Sequence, residues 1–240
     1  MNSIQFIDLG FPSGTLWADR NLGADRPEDF GEYFRFGELN PLTEKCNEYK
    51  QTPTSKEYDF YGKDNTNIAC TIYDVAQMKF NINSCIPNIT QINELKEYCK
   101  KEYIKVSGIE GMKFTGPNGL SIFFPAGGKM ENWIPLGENR LEISNEYGPE
   151  DKKNHGVEIW GFYWSSNRIS YFPDNLPYRR GGGAAVELEF SKDHIYTNVM
   201  SCREGLLIRP TKYVNQSNIK WMEKFYLSNR LKGEKYFLIK

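Results

Sequence analysis

The side chains best suited to bind a partner are concentrated in one polar segment, residues 167–183. Tyrosine and arginine dominate it, with one aspartate and one asparagine among them: Arg168, Tyr171, Asp174, Asn175, Tyr178, Arg179 and Arg180. Tyrosine combines a rigid apolar body with a hydroxyl, arginine carries five N–H donors, and both are enriched where proteins contact their partners. The segment therefore predicts a surface that recognises a protein or a glycan. An ordinary polar loop would have a similar composition, and this alternative stays open.

Cysteine and histidine show no spacing typical of a metal or redox site. The five cysteines are an odd number without a C-x-x-C pair: Cys46, Cys70, Cys85, Cys99 and Cys202. We expect reduced thiols that serve as small apolar side chains, and a fold that needs neither disulfides nor calcium. The two histidines, His155 and His194, have no evident Ser, Cys or Asp partner, which favours exposed polar groups over a catalytic base. The sequence thus predicts no cofactor, no metal and no enzymatic activity.

The overall composition excludes several classes of partner. Thirty basic and thirty-one acidic residues leave a formal net charge of −1 over 240 residues, so no global field attracts nucleic acid or an anionic membrane. No apolar run approaches the roughly 18 residues of a membrane span, and residues 1–10 do not resemble a signal peptide. We expect a virion protein, a cytoplasmic protein, or a surface protein trimmed of its leader.

A central aromatic strand is expected to hold the polar segment in place. Residues 161–166 read G-F-Y-W-S-S, and we predict that Trp164 lies in the core. Val186, Leu188 and Phe190 alternate with Glu187 and Glu189, which predicts a strand with one wet face. Residues 195–200 and 206–209 would complete an antiparallel sheet.

Shorter elements precede this strand. Residues 4–24 predict a strand, a turn around Pro12 and Gly14, and a second strand, whereas residues 39–70 predict a long surface excursion. A hairpin is predicted around residues 116–119, with one apolar face made of Leu120, Ile122 and Phe124. Together these patterns predict an α+β fold.

Two short helices are predicted between the excursion and the hairpin. The first covers residues 74–80 and begins on Asp74. The second follows Pro87 and ends near Tyr103, with Asn88 and Gln91 at the spacing of a capping box. Steps of three and four residues predict its buried face, Ile89, Ile92, Leu95 and Cys99. Its remaining polar side chains are expected to be solvated: Glu94, Lys96, Glu97, Lys100 and Lys101.

Seven blocks of the chain, in order, resemble the Fibrobacter succinogenes major paralogous domain family. They are D-L-G-F-P-S-G-T-L-W-A (8–18), N-L-G-A (21–24), P-E-D-F-G-E-Y-F-R-F-G-E (27–38), D-V-A (74–76), T-G-P-N-G-L-S-I-F-F-P-A-G-G (115–128), G-F-Y-W-S-S (161–166) and L-L-I-R-P (206–210). The chain departs from the family at 84–88, where a tryptophan and an arginine of the usual pattern are missing. The resemblance implies a C-type-lectin-like fold, with two short helices, small antiparallel sheets and long loops on one side. It assigns residues 1–213 to this domain and leaves 214–240 as a C-terminal appendage.

The resemblance also implies a function. The family is common in gut bacteria of the Bacteroides type and their phages, usually as a secreted or surface module without a defined activity. We therefore expect a non-catalytic binding or structural module, displayed on a phage virion or a bacterial surface, that contacts a glycan or a protein. Around Asp174 and Asn175 there is no E-P-N or Q-P-D triplet and in the following strand no W-N-D motif, so calcium-dependent sugar binding is not expected.

Other roles within the same superfamily remain open. One is an enzyme of the formylglycine-generating type, for which Cys202 has no partner cysteine nearby in sequence. Another is a variable ligand-binding protein diversified by a retroelement. In the appendage, Trp221, Met222 and Phe225 could form a short amphipathic helix that docks on the domain, on a second copy of the chain or on an assembly partner.

Overall fold

The computed structural model describes residues 4–42, 67–71, 73–79, 83–133, 142–149, 152–153, 156, 158–169 and 184–212. Within them the chain forms two short helices and twelve strands: β1 Phe6–Asp8, β2 Leu16–Ala18, α1 Val75–Lys79, β3 Ser84–Cys85, α2 Ile89–Tyr98, β4 Lys100–Val106, β5 Ile109–Thr115, β6 Ser121–Pro125, β7 Lys129–Trp133, β8 Glu142–Glu146, β9 Gly161–Ile169, β10 Ala184–Phe190, β11 Ile195–Ser201 and β12 Thr211–Lys212. The strands make four small antiparallel sheets, ordered β1-β2-β12-β3, β4-β5-β6, β7-β8 and β11-β10-β9. This is the α+β class that the sequence predicts. No helix among the described residues is both long and apolar enough to cross a bilayer.

The first sheet confirms the predicted strand, turn and strand. The Gly14 amide donates to the Phe11 carbonyl at 3.0 Å, and Gly14 has a φ of +69°, a left-handed value that favours glycine. The sheet is then completed by β12, which pairs with both β2 and β3 and so joins segments that are far apart in the sequence. The excursion predicted for 39–70 falls largely outside the described residues.

Both helices begin where the sequence predicts, but α2 ends earlier. Asn88 accepts the Gln91 amide and Gln91 Oε1 accepts the Asn88 amide, each at 2.9 Å, which is the predicted capping box. The predicted end near Tyr103 is wrong, because the helix stops at Tyr98 and Cys99 has an extended backbone. The following residues instead pair along the whole length of β5, and seven cross-strand partners outweigh the local helical pattern.

The polar face of α2 is not uniformly solvated, contrary to the prediction. Glu94 is buried and accepts a 2.6 Å hydrogen bond from the Ser13 hydroxyl. Burial raises the pKa of Glu94, an effect that the Ser13 hydrogen bond opposes. Lys96 donates to the Thr197 hydroxyl on β11, which is packed against the helix. Glu94 and Lys96 therefore connect α2 to neighbouring segments by hydrogen bonds, a role that helical periodicity alone cannot predict.

The hairpin of β5 and β6 is confirmed, with Thr115 opposite Ser121. Leu120 does not join Ile122 and Phe124 on the buried face, because it belongs to the turn and is 53% exposed. The polar stretch that follows contains a further hairpin, β7 and β8, which was not predicted.

Two apolar clusters enclose the sheet of β9, β10 and β11. One lies between this sheet and α2 and includes Tyr163, Leu188 and Phe190. The other lies on the opposite face and includes Trp164, which is buried as predicted. Residues 206–209 do not form the antiparallel strand predicted for this sheet. Leu207 makes an isolated parallel bridge with Tyr163 of β9, and Leu206 makes an isolated antiparallel bridge with Phe34.

Arg209, from the L-L-I-R-P block, is a buried cross-link between distant segments. Its guanidinium donates to Asn21 Oδ1 at 2.8 Å and to the carbonyls of Ala18 and Phe123 at 3.1 and 2.6 Å. It also lies 4.4 Å from the centre of the Phe124 ring. Burial lowers the pKa of Arg209 to about 10, so the side chain remains charged at neutral pH.

The expectation that all the cysteines are reduced is wrong. Cys70 and Cys85 form a disulfide across a separation of 15 residues, with their Cα atoms 5.4 Å apart. Cys99 and Cys202 are buried free thiols, and burial raises the pKa of each to about 12. Cys46 lies outside the described residues. Sequence spacing could not show the pairing, because it depends on α1 and β3 meeting in space.

Candidate functional site

Of the seven residues predicted to form a recognition surface, the structure describes one. Arg168 lies near the end of β9, half-buried, with Ala185 as its cross-strand partner. The other six lie outside the described residues: Tyr171, Asp174, Asn175, Tyr178, Arg179 and Arg180. Arg168 hydrogen bonds to the buried Cys202 thiol and lowers its pKa, but burial has the larger and opposite effect. Arg168 therefore contacts buried residues beneath the segment, and it is also one of the residues predicted to form the recognition surface.

The segment 170–183 leaves and re-enters the fold at paired positions. Ile169 and Ala184 are cross-strand partners at the ends of β9 and β10. Below them, the Trp164 indole donates to the Phe34 carbonyl at 2.7 Å, and the Tyr163 hydroxyl donates to the Pro125 carbonyl at the same distance. Because both aromatic side chains are buried and hydrogen bonded, the base of the segment is held rigidly.

A row of aromatic rings covers the side of this sheet that faces away from α2. Successive side chains of a strand point to opposite faces. Thr197 meets α2, so His194 and Tyr196 lie on the other side. Trp160 stacks on His194 with ring centres 5.9 Å apart, and His194 stacks on Tyr196 at 5.6 Å. We call these three residues the aromatic surface.

The aromatic surface is anchored at one end and open at the other. Trp160 is half-buried and stacks on the buried Phe162 at 6.3 Å. His194 is exposed, and Tyr196 is 48% exposed. The Tyr196 hydroxyl lies 2.9 Å from His194 Nδ1, within hydrogen-bonding distance, so the two outer rings hold each other in place. A rigid stack of this kind can bind an apolar surface with little loss of conformational entropy.

Polar groups adjoin the aromatic surface on the same face. Glu189 is the cross-strand partner of Tyr196, and its carboxylate accepts a 3.2 Å hydrogen bond from the exposed Asn198 amide. Burial raises the pKa of Glu189, and the Asn198 hydrogen bond opposes this shift. The carboxylate and the amide together offer donors and acceptors for hydroxyl or peptide groups beside the rings.

Glu187, two residues earlier on β10, is fully buried, although an exposed position was predicted. It lies between Trp164 and Asn198 across the sheet, and no group among the described residues forms a hydrogen bond with either of its carboxyl oxygens. Burial raises the pKa of Glu187 well above its usual value, and the charge of Glu189 raises it further. Glu187 is therefore a neutral acid over a wider pH range than an exposed glutamate. On the face of β10 that was predicted to be exposed to solvent, Glu187 is buried and only Glu189 is partly exposed.

A buried ammonium group lies in the same neighbourhood. Lys129, at the start of β7, is 3.4 Å from a carboxylate oxygen of Glu146 and 4.0 Å from one of Glu204. Its positive charge lowers the pKa of Glu187, but less than burial raises it. Lys129 therefore interacts with Glu146 and Glu204 as well as with Glu187, and burial remains the main influence on the pKa of Glu187.

One group of described side chains has ligand atoms close enough to hold a metal. It consists of Cys70, Asp74 and Cys85, at the start of α1 and the end of β3, away from the predicted recognition segment in sequence.

The sequence analysis did not predict the aromatic surface. The alternation of His194 and Tyr196 in the strand would have placed both on one face, but their proximity to Trp160 depends on the pairing of β9, β10 and β11.

Searches against protein-family models, curated protein sequences and solved structures found no match to this chain.

Proposed function

We propose that this chain is a non-catalytic recognition module with a C-type-lectin-like fold, displayed on a phage virion or a bacterial surface, that binds a glycan or a protein. The observation that carries the proposal is the aromatic surface. Trp160, His194 and Tyr196 form an ordered stack on the face of the sheet that lies away from α2, where Tyr196 is 48% exposed. Exposed aromatic groups of this kind are typical of binding surfaces.

The chemistry beside the rings supports a partner that has both apolar and hydrogen-bonding faces. Sugar rings have such a character, with C–H groups on their faces and hydroxyls at their edges, and so do peptide segments. Glu189 and Asn198 would bind the polar edge while the rings contact the apolar face. Arg168 and the segment 170–183 would extend the contact from the far end of β9.

Two observations support the proposal of a C-type-lectin-like fold. Seven sequence blocks occur in the order of the resembled family, and the described architecture is two short helices with small antiparallel sheets. The G-F-Y-W-S-S block forms the first part of the central strand, β9.

The properties of Cys202 count against the alternative of a formylglycine-generating type of enzyme. Such chemistry needs a reactive thiolate, whereas Cys202 is buried, forms no disulfide and has a pKa raised to about 12. Titration of accessible thiols in the folded chain is expected to leave Cys202 unmodified.

A glycan array and a pull-down from host-cell envelope extracts test the proposal. The His194→Ala, Tyr196→Ala double variant is expected to bind at least about 30-fold more weakly than the parent, since a pair of interface hot spots contributes about 2 kcal/mol or more. Its melting temperature is expected to stay close to that of the parent, because both residues lie outside the apolar clusters.

Tyr98→Ala is the matched control. Tyr98 is 42% exposed and lies at the end of α2. The control variant is expected to bind like the parent. Equal binding by the double variant and the parent would refute the assignment of the aromatic surface.

A further inference from the structure

Glu189 lies among the rings of the aromatic surface. Its cross-strand partners are Phe162 on β9 and Tyr196 on β11, and side chains that pair directly across a sheet share one face. Trp160 stacks on Phe162 with ring centres 6.3 Å apart. His194 stacks on Tyr196 at 5.6 Å. The half-buried carboxylate is therefore flanked by aromatic side chains on both neighbouring strands.

A further tyrosine extends the aromatic groups on the β9 side. Tyr147 follows β8, is 41% exposed, and has its ring centre 6.1 Å from that of Phe162. The Tyr147 carbonyl accepts the Trp160 amide at 2.9 Å, which holds this residue beside the start of β9. Glu189 thus has Phe162 and Tyr147 on its β9 side and Tyr196 on its β11 side.

Asn198 fixes the orientation of the Glu189 carboxylate. The Asn198 side-chain amide donates to Glu189 Oε1 at 3.2 Å, and Asn198 Oδ1 accepts the Val199 amide at 2.8 Å. A side-chain amide that is bonded at both ends holds its acceptor in one position. A carboxylate has about four lone-pair sites, so one amide donor from the described residues leaves acceptor capacity on Glu189 for a partner.

No cation in the part of the chain that the structure describes balances the charge of Glu189. Burial raises the pKa of Glu189, and the Asn198 hydrogen bond is the effect that opposes this shift. Lys129 acts on the neighbouring Glu187 and lies beside two other carboxylates. A neutral partner would desolvate Glu189 without a counter-charge, whereas a cationic partner would supply one. Charge complementarity therefore favours a cation.

We propose that the aromatic surface and Glu189 bind the guanidinium group of an arginine on a protein partner. This inference rests on the proposed function and selects a protein over a glycan. A guanidinium group is planar and weakly hydrated, so it can stack on the Tyr196 or His194 ring while its N–H groups pair with the carboxylate. The ammonium group of lysine is compact and strongly hydrated, so it would lose more hydration between the rings.

Two small probes test the preference for guanidinium. N-acetylarginine amide contains this group, and N-acetylcitrulline amide replaces it with a neutral urea of nearly the same shape. The chain has two histidines, so the His194 ring signals can be followed by NMR and assigned with His194→Gln. The arginine probe is expected to bind at least about fivefold more tightly than the citrulline probe, as expected for a cation–π contact combined with an ion pair.

Variants locate the contact. Glu189→Gln keeps the side-chain shape without the charge and is expected to bind both probes equally. Tyr196→Leu keeps an apolar side chain without the ring and should bind the arginine probe at least about threefold more weakly. Asp193→Asn is the matched control, because it removes an exposed carboxylate from the turn between β10 and β11, and it should keep the preference. Melting temperatures check that each variant is folded.

Two results would overturn the proposal: equal binding of the two probes by the parent, or an unchanged preference for arginine in Glu189→Gln. The proposed function is tested separately by the His194→Ala, Tyr196→Ala double variant. If the parent binds both probes equally and also binds a glycan that the double variant does not bind, the arginine site is refuted and the recognition function is supported.

Discussion

Replacing Glu187 by glutamine is expected to stabilise the protein at neutral pH and to leave it nearly unchanged in acid. Glu187 is fully buried, and neither carboxyl oxygen has a hydrogen-bond partner in the part of the chain that the structure describes. In the native state its pKa is raised well above the usual 4.5, with burial as the main cause. Glutamine has a similar shape and is always neutral, so it mimics the protonated acid.

The sign and size of the effect follow from proton binding. Above its ordinary pKa, the unfolded chain has released the Glu187 proton while the native chain still holds it. The unfolded state then binds fewer protons, so the free energy of unfolding falls as pH rises, until the native pKa is reached. One proton corresponds to about 1.4 kcal/mol for each pH unit. For a domain of this size, each kcal/mol shifts the melting temperature by roughly 2–4 °C.

Urea unfolding at several pH values between 4 and 8 measures the effect. The difference in free energy of unfolding between Glu187→Gln and the parent should grow with pH at up to about 1.4 kcal/mol per unit. Glu189→Gln is the matched control, because Glu189 is on the same face of β10 but is hydrogen bonded to Asn198 and only partly buried. The control should show a much smaller slope. A Glu187→Gln variant that is less stable than the parent at pH 7 would show that Glu187 is ionised and paired with Lys129, and the reasoning would be wrong.

Three further changes have definite expected outcomes. Trp164→Ala should destabilise the domain by roughly 3–5 kcal/mol in urea unfolding, because it removes a buried aromatic ring and its hydrogen bond to Phe34. Cys70→Ala should lower the free energy of unfolding by about 3 kcal/mol, the loop-closure entropy of a disulfide spanning about 15 residues. If the predicted recognition segment binds the partner, a pull-down should lose binding, with little change in melting temperature, when four of its residues are replaced by alanine: Tyr171, Tyr178, Arg179 and Arg180.

For each of these three predictions, one experimental result would contradict the expected outcome. A melting temperature of Trp164→Ala within a degree or two of the parent would place the indole outside the core. Unchanged stability of Cys70→Ala would mean that the disulfide does not restrict the unfolded chain. A chain that ends after Tyr213 and fails to bind, while the fourfold variant binds normally, would move the binding surface to residues 214–240.

Features that depend on neighbouring residues could be predicted from the sequence. The capping box of Asn88 and Gln91 involves residues three apart, so its hydrogen bonds are a local property. The turn between β5 and β6 needs the left-handed backbone of Gly119, whose φ is +85°, and the G-P-N-G block indicates it directly. Burial of Trp164 follows from the size of its apolar side chain.

Features that depend on distant segments were decided only by the tertiary structure. The alternation of residues 186–190 predicts two faces for β10, but whether the second face is wet depends on what covers it, and Glu187 is buried. Cys70 pairs with Cys85 because α1 and β3 meet, a contact that no periodicity encodes. His194 stacks on Trp160 because β9, β10 and β11 are neighbours in one sheet. Local patterns determine which elements form, whereas the grouping of their side chains into a site depends on how the chain brings those elements together.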